Sequence, residues 1–385
     1  FTDVIDKKTN VFQIINEYEI YKIKDINYFI DNNSIDYIFF NSFIHDDFKF
    51  LLEYDNIHKI FITHSDVAYS NYYIKLYHQK LNKILTVNQY TKEKLIKFLN
   101  IDENKIKMIV NYKNYNKNIN NEINTTKNEL IKKNYKFGVI TRFSDDKNII
   151  MLLFSLQKIF LNQEYEHYKF YLVGYENDFI YSYMQFLVKY LNIEKFVYFE
   201  GYQNNIKKYY DLFDFIILPS VSEGCPYNVL ESMFYEKLII LSDVGGNKEL
   251  FPNDTTFFIH YDGIKEFEAS NLYINNYYGQ LEKLGYIINY ENILDNYKID
   301  IDFDVHQLNV IPPLFLTPNK SNLQKYTISL NIWNRNVNQI YNTIIKAIQI
   351  DTEKELLFNK ENKHFIDTHF NKNIYYSTLL NIIYE

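Results

Sequence analysis

Residues 213–251 read FDFIILPSVSEGCPYNVLESMFYEKLIILSDVGGNKELF, and their pattern decides how the chain folds. Phe213 to Leu218 is an apolar run rich in aromatic and β-branched residues, closed by Pro219-Ser220, as expected of a short strand buried on both faces. Lys237 to Ser242 is a second run of the same kind. Between them Pro226 stands where a helix accepts a residue without an N–H, and Val229, Leu230, Met233 and Phe234 recur at helical spacing. The stretch therefore predicts strand, loop, helix, strand, a unit that pairs its strands in parallel.

The chemistry of this unit lies in its loop. Ser222-Glu223-Gly224-Cys225 leads into a helix N-terminus, where backbone N–H groups and the positive end of the helix dipole attract an anion such as phosphate. Gly224 permits close backbone approach. Glu223 and Glu231 can face one cleft, the first from the loop and the second from the helix. A carboxylate beside a phosphate site grips a sugar hydroxyl well and repels the phosphate itself. The combination suggests a nucleotide held by ribose and diphosphate together. Two glutamates at this spacing alone would describe a solvated helix face; the flanking residues change that reading.

With those flanks in register, Pro219-Ser220, Glu223 to Glu231 and Gly245-Gly246-Asn247-Lys248-Glu249 resemble the signature of the retaining GT-B glycosyltransferases, specifically glycosyltransferase family 4. The resemblance implies an α/β fold of GT-B type, with two Rossmann-like domains facing a central cleft and a C-terminal helix crossing back. It implies transfer of a sugar from a nucleotide-diphosphate sugar donor to a hydroxyl of a carbohydrate or glycoconjugate acceptor, without metal or other cofactor. The setting would be glycan, polysaccharide or glycoconjugate assembly in the cytoplasm, with room for peripheral contact at the inner face of the membrane. Two other classes stand beside it: a nucleotide-sugar epimerase of the same architecture, and a non-catalytic sugar-binding module. Dinucleotide dehydrogenases and P-loop enzymes fit poorly, since neither Gly-x-Gly-x-x-Gly nor Gly-x(4)-Gly-Lys occurs.

A length of 385 residues makes two domains the natural expectation. The formal net charge of −7 leaves no general basic field for nucleic acid. One cysteine, Cys225, rules out an internal disulfide framework and fits a reducing compartment, where it reads as a small loop residue rather than a nucleophile. No apolar run approaches the roughly 18 residues that a membrane helix needs, so a soluble protein is expected.

The chain's glycines and prolines all fall at or after residue 138, which marks a boundary. Before it, residues 36–41, 58–63 and 84–87 read as strands, and 72–81 and 91–99 as helices, so a first parallel α/β domain is expected over 1–134 including its linker. It resembles the acceptor-side domain of the family in shortened form. His64 follows a strand within Thr63-His64-Ser65-Asp66 and is well placed to face the cleft; the resemblance gives it a contact near the transferred sugar. Asn88, at a strand end before a helix, and Asn111, at the strand end before the linker, also match family positions.

Residues 112–134 are polar and low in complexity, a linker with a surface segment. The second domain, 135–365, opens with a strand at 137–141, followed by Arg142-Phe143-Ser144-Asp145-Asp146-Lys147 and an apolar helix. Arg142 and Lys147 match the spacing of the family's diphosphate-binding pair, and such cations could neutralise a departing nucleoside diphosphate. Residues 169–173 ending in Gly174, and 196–199 ending in Glu200-Gly201-Tyr202, read as further strands. By resemblance Gly174 brings the backbone near the nucleotide and Tyr202 meets the base through its main chain. Ser222, Gly224, Cys225, Pro226, Tyr227 and Asn228 line the diphosphate, Glu231 holds the ribose, and Glu223 lies near the donor sugar. As polar positions of the cleft surface, Glu231 and Lys147 are expected to be replaceable at little loss of stability.

Beyond Phe251 the match fades. Residues 262–330 read as an insertion containing Asp300-Ile301-Asp302-Phe303-Asp304, more plausibly an acidic loop than a divalent-cation motif. Residues 336–350 read as a helix and 353–385 as another pair, with 366–385 expected to return to the first domain.

Overall fold

The computed structural model describes Ile30 and residues 35–112, 134–262 and 323–384, except 43, 45, 65–67, 176, 177 and 252. The polar linker and the insertion with its Asp300–Asp304 run lie, apart from their edges, outside the described residues, as do Ser65 and Asp66.

The first lobe is built from β1 (Tyr37–Asn41), β2 (His58–Thr63), α1 (Ala68–Tyr77), β3 (Lys83–Thr86), α2 (Gln89–Leu99) and β4 (Ile106–Met108). Its four strands pair in parallel in the order β1-β2-β3-β4. Strand and helix alternate because apolar β-branched runs alternate with amphipathic ones, which forces crossovers rather than hairpins. One helix differs from expectation: α1 ends four residues before Leu81. Leu81 is buried, yet it belongs to the turn into β3, where Asn82 Oδ1 accepts the backbone N–H of Lys59 at 2.8 Å.

The second lobe contains β5 (Lys136–Ile140), α3 (Ile149–Phe160), β6 (Lys169–Val173), α4 (Asp178–Tyr190), β7 (Val197–Gly201), α5 (Lys207–Leu212), β8 (Phe215–Leu218), α6 (Tyr227–Phe234), β9 (Leu238–Ser242) and β10 (Phe257–Ile259). Its sheet is parallel in the order β10-β9-β8-β5-β6-β7. Numbered from β5, this is the doubly wound order 3-2-1-4-5-6, which reverses between β5 and β8. Those two strands pair only at Phe137 with Phe215 and Gly138 with Ile216, so they part toward their carboxyl ends. β8 starts two residues later than its apolar run because the Phe213 N–H is held by the Tyr209 carbonyl at the end of α5. The Phe213 ring lies where a side chain on Gly138 would sit, a Cβ there falling 2.0 Å from it.

Three helices follow: α7 (Leu323–Ile348), α8 (Thr352–His369) and α9 (Lys372–Tyr384). α7 closes the second-lobe core with Trp333, Val337, Ile340 and Ile344. α8 lays Ile366 against Leu230 and Met233 beneath α6. α9 packs Leu379 and Ile382 on Ile60, Ile62, Leu85 and Ile109 of the first lobe, and Tyr37 donates its hydroxyl to the Ile383 carbonyl at 2.7 Å. The last helix therefore does cross back. No helix among the described residues is long and apolar enough to cross a membrane.

Candidate functional site

In an open α/β sheet a ligand crevice forms beyond the carboxyl ends of the strands where the order reverses. Here that point lies between the turn 141–148, which follows β5, and the loop 219–226, which follows β8. The two segments are stapled together. The Val221 N–H donates to the Asp146 carbonyl at 2.8 Å, Asn148 Nδ2 donates to the Tyr261 hydroxyl at 3.0 Å, and that hydroxyl donates to the Pro219 carbonyl at 2.6 Å. Asn228, in the first turn of α6, reaches back to donate to the Ile140 carbonyl at 2.8 Å, spanning the gap that β5 and β8 leave open.

The centre of the crevice is charged. Lys147 Nζ lies 2.8 Å from Glu223 Oε1 and 3.1 Å from Asp146 Oδ2. Glu223 Oε1 also accepts the Ser220 hydroxyl at 2.6 Å, and Asp146 accepts that of Ser144. Burial by itself would depress the Lys147 ammonium, but attraction to Glu223 and then Asp146 outweighs it and holds the group above its ordinary value. For Asp146 burial pushes up, and Lys147, the Ser144 bond and Arg142 together prevail, so its carboxyl titrates below the usual range. Arg142 itself is exposed on the turn, anchored by the buried Phe143 ring.

Glu223 is buried, at 7 % exposure, and Lys147 is largely so. For Lys147 this corrects the expectation of a surface position that tolerates replacement. Removing Lys147 leaves the buried Glu223 carboxylate and Asp146 without their counter-charge, so this lysine contributes to stability as well as to the crevice.

Glu231 sits one helical turn into α6, where Oε2 accepts the Tyr210 hydroxyl at 2.8 Å. The Tyr235 ring stacks on Tyr210 at a centroid distance of 4.8 Å, fixing the phenol that orients the carboxylate. Pro226 is the N-cap of α6, a position where its missing N–H costs no intrahelical bond. Its carbonyl accepts from Val229 and Leu230, leaving the earlier N–H groups of the turn without an intrahelical carbonyl. Ser222 and Cys225 are buried and Tyr227 is half-exposed. Burial pushes the Cys225 thiol up to about 12, so it is no thiolate nucleophile.

Gly174 and Gly201 both take positive φ, 149° and 64°. At Gly174 a Cβ would fall 1.7 Å from the Thr141 carbonyl oxygen, so the glycine seats the end of β6 against the turn carrying Arg142. Tyr202, the residue after β7, is 75 % exposed.

From the first lobe, His64 lies at the end of β2 with Nε2 2.6 Å from Asn41 Oδ1. Burial lowers its pKa, and a bond to the Asn111 side chain opposes that shift. Sequence reading placed His64 correctly at a strand end but gave no role to the carboxamides around it. Asn88 Nδ2 donates to the Gly224 carbonyl and Asn111 Nδ2 to the Cys225 carbonyl, each at 2.9 Å. Returning the contact, Glu249 accepts the N–H groups of Gln89 and Tyr90 at 2.8 and 2.7 Å, so a second-lobe carboxylate caps the positive end of first-lobe helix α2. Val87 completes the joint by packing with Cys225 and Val229. Tyr210 and Asp146 were likewise given no role, because a lone hydroxyl or carboxylate carries no spacing signal.

Two facing lobes of parallel α/β sheet, a crevice at the switch point of the second and a terminal helix returning to the first define the GT-B class of fold. Residues 120–275 match the family model described as "Glycosyl transferases group 1". No curated protein matches the chain in sequence. Among solved structures, the pneumococcal O-GlcNAc transferase GtfA in complex with UDP and GlcNAc aligns over 93 % of this chain and 59 % of its own, at 11 % identity and a TM-score of 0.55. S. aureus TarM, in a complex with fondaparinux, α-GlcNAc-glycerol and UDP, aligns over 85 % of this chain at 13 % identity and a TM-score of 0.51. A glycosyltransferase from Rickettsia africae ESF-5 aligns over 93 % of this chain and 84 % of its own, at 16 % identity and a TM-score of 0.50. The chain spans about half the length of TarM, 51 %.

Proposed function

We propose that the chain is a retaining, metal-independent glycosyltransferase that moves a sugar from a nucleotide-diphosphate donor to a hydroxyl of a carbohydrate or glycoconjugate acceptor. One observation carries this reading. The Lys147–Glu223 pair, the Arg142 turn and the N-terminus of α6 converge at the switch point of a doubly wound sheet. The match of residues 120–275 to the glycosyl transferase model supports it, as does the Glu223-to-Glu231 spacing.

In this reading Glu231, oriented by Tyr210, takes the ribose hydroxyls. The diphosphate lies at the N–H groups of the loop and first turn of α6, with Tyr202 meeting the base through its backbone. When the bond from the sugar's anomeric carbon to the diphosphate oxygen breaks, negative charge grows on that oxygen. Lys147, Arg142 and the helix N-terminus stabilise it in place of a metal ion. Among the described residues both contacts to the Glu223 side chain fall on Oε1, which leaves Oε2 as the oxygen turned to the donor sugar. The acceptor hydroxyl attacks on the face the nucleotide leaves, and its proton passes to the departing diphosphate. His64, held neutral by burial, contacts the sugar from the opposite lobe.

The test is transfer from UDP-, GDP-, ADP- and CDP-linked sugars to an acceptor panel, with UDP first because the GtfA and TarM structures hold it. The anomeric configuration of the product is read by NMR, and the assay is repeated with a chelator. Product with the donor's configuration and full activity in chelator are expected. Inverted product overturns the retaining mechanism, loss with chelator overturns metal independence, and epimerised donor without acceptor overturns the transferase.

A further inference from the structure

The loop from Ser222 to Pro226 belongs to the second lobe, yet two of its carbonyls are held by the first. Asn88 and Asn111 are both buried, at 3 % and 6 % exposure, and their carboxamides donate to Gly224 and Cys225 at 2.9 Å each. A peptide unit is planar, with its carbonyl and the following N–H pointing in opposite directions. Fixing the Gly224 carbonyl therefore fixes where the Cys225 N–H points. Fixing the Cys225 carbonyl sets the Cys225–Pro226 unit, and Pro226 supplies the carbonyl on which α6 begins, accepting from Val229 and Leu230.

The joint is built closely around these contacts. A Cβ on Gly246 would fall 2.3 Å from the Gly224 oxygen and 2.7 Å from Asn88 Cβ and Nδ2, so only glycine lets Asn88 reach under the loop. Asn88 is more than a helix cap. Its Oδ1 accepts the Thr91 N–H at 2.6 Å to cap α2, a task serine or aspartate performs as well, while the amide end serves the other lobe. Asn111 likewise holds the Cys225 carbonyl and is also the side chain that offsets the effect of burial on His64, so it stands between candidate groups on both sides of the cleft.

We infer that Asn88 and Asn111 are positioning residues for the diphosphate: across the lobe interface Asn88 aims the Cys225 N–H and Asn111 sets the Pro226 start of α6 and so the direction of its first N–H groups, so the anion site is complete only when the lobes touch. This rests on the proposed reading of the loop as the diphosphate site, and it assigns the first lobe a part in donor binding that acceptor contacts alone would not give it.

The experiment is calorimetric titration of the wild-type chain with UDP, GDP, ADP and CDP. The tightest of these, and its parent nucleoside followed by NMR, are then titrated into Asn88→Ser, Asn88→Asp and Asn111→Asp. Both Asn88 variants keep a cap oxygen for α2 and lose the amide donor; the serine adds no charge near the anion and guards against misfolding of the aspartate. Diphosphate affinity is expected to fall about fivefold to tenfold in each, as for one lost hydrogen bond, with nucleoside affinity unchanged. Equal diphosphate affinity in wild type and variants overturns the inference while the donor-site reading stands. A parallel loss of diphosphate and nucleoside makes the role purely structural and also overturns it. If no nucleoside diphosphate binds the wild type, the donor-site reading fails and takes this inference with it.

Discussion

The two lobes share one design, a parallel sheet between helices, and meet the cleft with different chemistry. The second lobe presents opposed full charges, Lys147 between Glu223 and Asp146, on loops stapled to each other. The first presents neutral carboxamides, Asn88 and Asn111, on the carbonyls of the facing loop, and one imidazole, His64, held by Asn41. Charge belongs where a leaving group develops charge, and neutral donors suffice where the task is to hold a backbone in place. In the proposed reading the second lobe is the reactive side and the first the side that shapes it.

The largest effect that tests this contrast is at Lys147. Lys147→Ala removes the counter-charge of two carboxylates, one of them buried, and should destabilise the fold by about 3–5 kcal/mol while abolishing transfer. Chemical denaturation measures the first and a donor-turnover assay the second. The triple variant Lys147→Met/Glu223→Gln/Asp146→Asn, which removes all three charges, should recover much of the stability and none of the activity. If it is as unstable as the single variant, the uncompensated charge is not the source of the loss.

Glu231→Ala comes next. Its carboxylate bonds to Tyr210 at the surface of the crevice, so the fold should survive while the nucleoside diphosphate binds about tenfold more weakly, roughly 1.4 kcal/mol. Unchanged affinity would place the ribose elsewhere. Smaller still is Glu249→Ala, which uncaps α2 from across the interface. As an exposed cap it should contribute about 0.5–1 kcal/mol to the contact between lobes, seen as lower protection of the Gln89 and Tyr90 amides in hydrogen exchange. Protection equal to wild type would mean that the lobes meet without it.

The same contrast explains what the sequence made legible. The second lobe announced itself because its functions sit in one stretch at fixed spacing: Pro219-Ser220 ends β8, Pro226 opens α6, and Glu223 and Glu231 follow in register. Strand positions were legible where a short apolar run had both faces buried, as in β9. The first-lobe contribution was not. Asn88 and Asn111 come from separate strand ends, in a chain rich in asparagine, and acquire meaning only when folding brings them against carbonyls more than 100 residues away. The burial of Glu223 was also illegible, since a loop glutamate beside glycine reads as solvated until its lysine, 76 positions earlier, is placed upon it.

The smallest effect sharpens the comparison through pH. Asp146 titrates below 3.8 and Lys147 above 10.5, so the charged pair of the second lobe keeps its state across the neutral range. His64 differs. Burial depresses its folded pKa below the unfolded value of 6.5, so the unfolded chain binds the proton more readily. The stability this neutral ring supports is fully present above pH 6.5, falls as pH drops below 6.5 toward the folded pKa, and levels off beneath it. Melting temperatures of wild type and His64→Gln, compared from pH 8 to pH 5, should therefore converge at the acid end, with His78 and other titrating groups cancelling in the difference. Curves that stay parallel across that window would mean that folding leaves the proton affinity of His64 unchanged, and its ring would not be held neutral by burial.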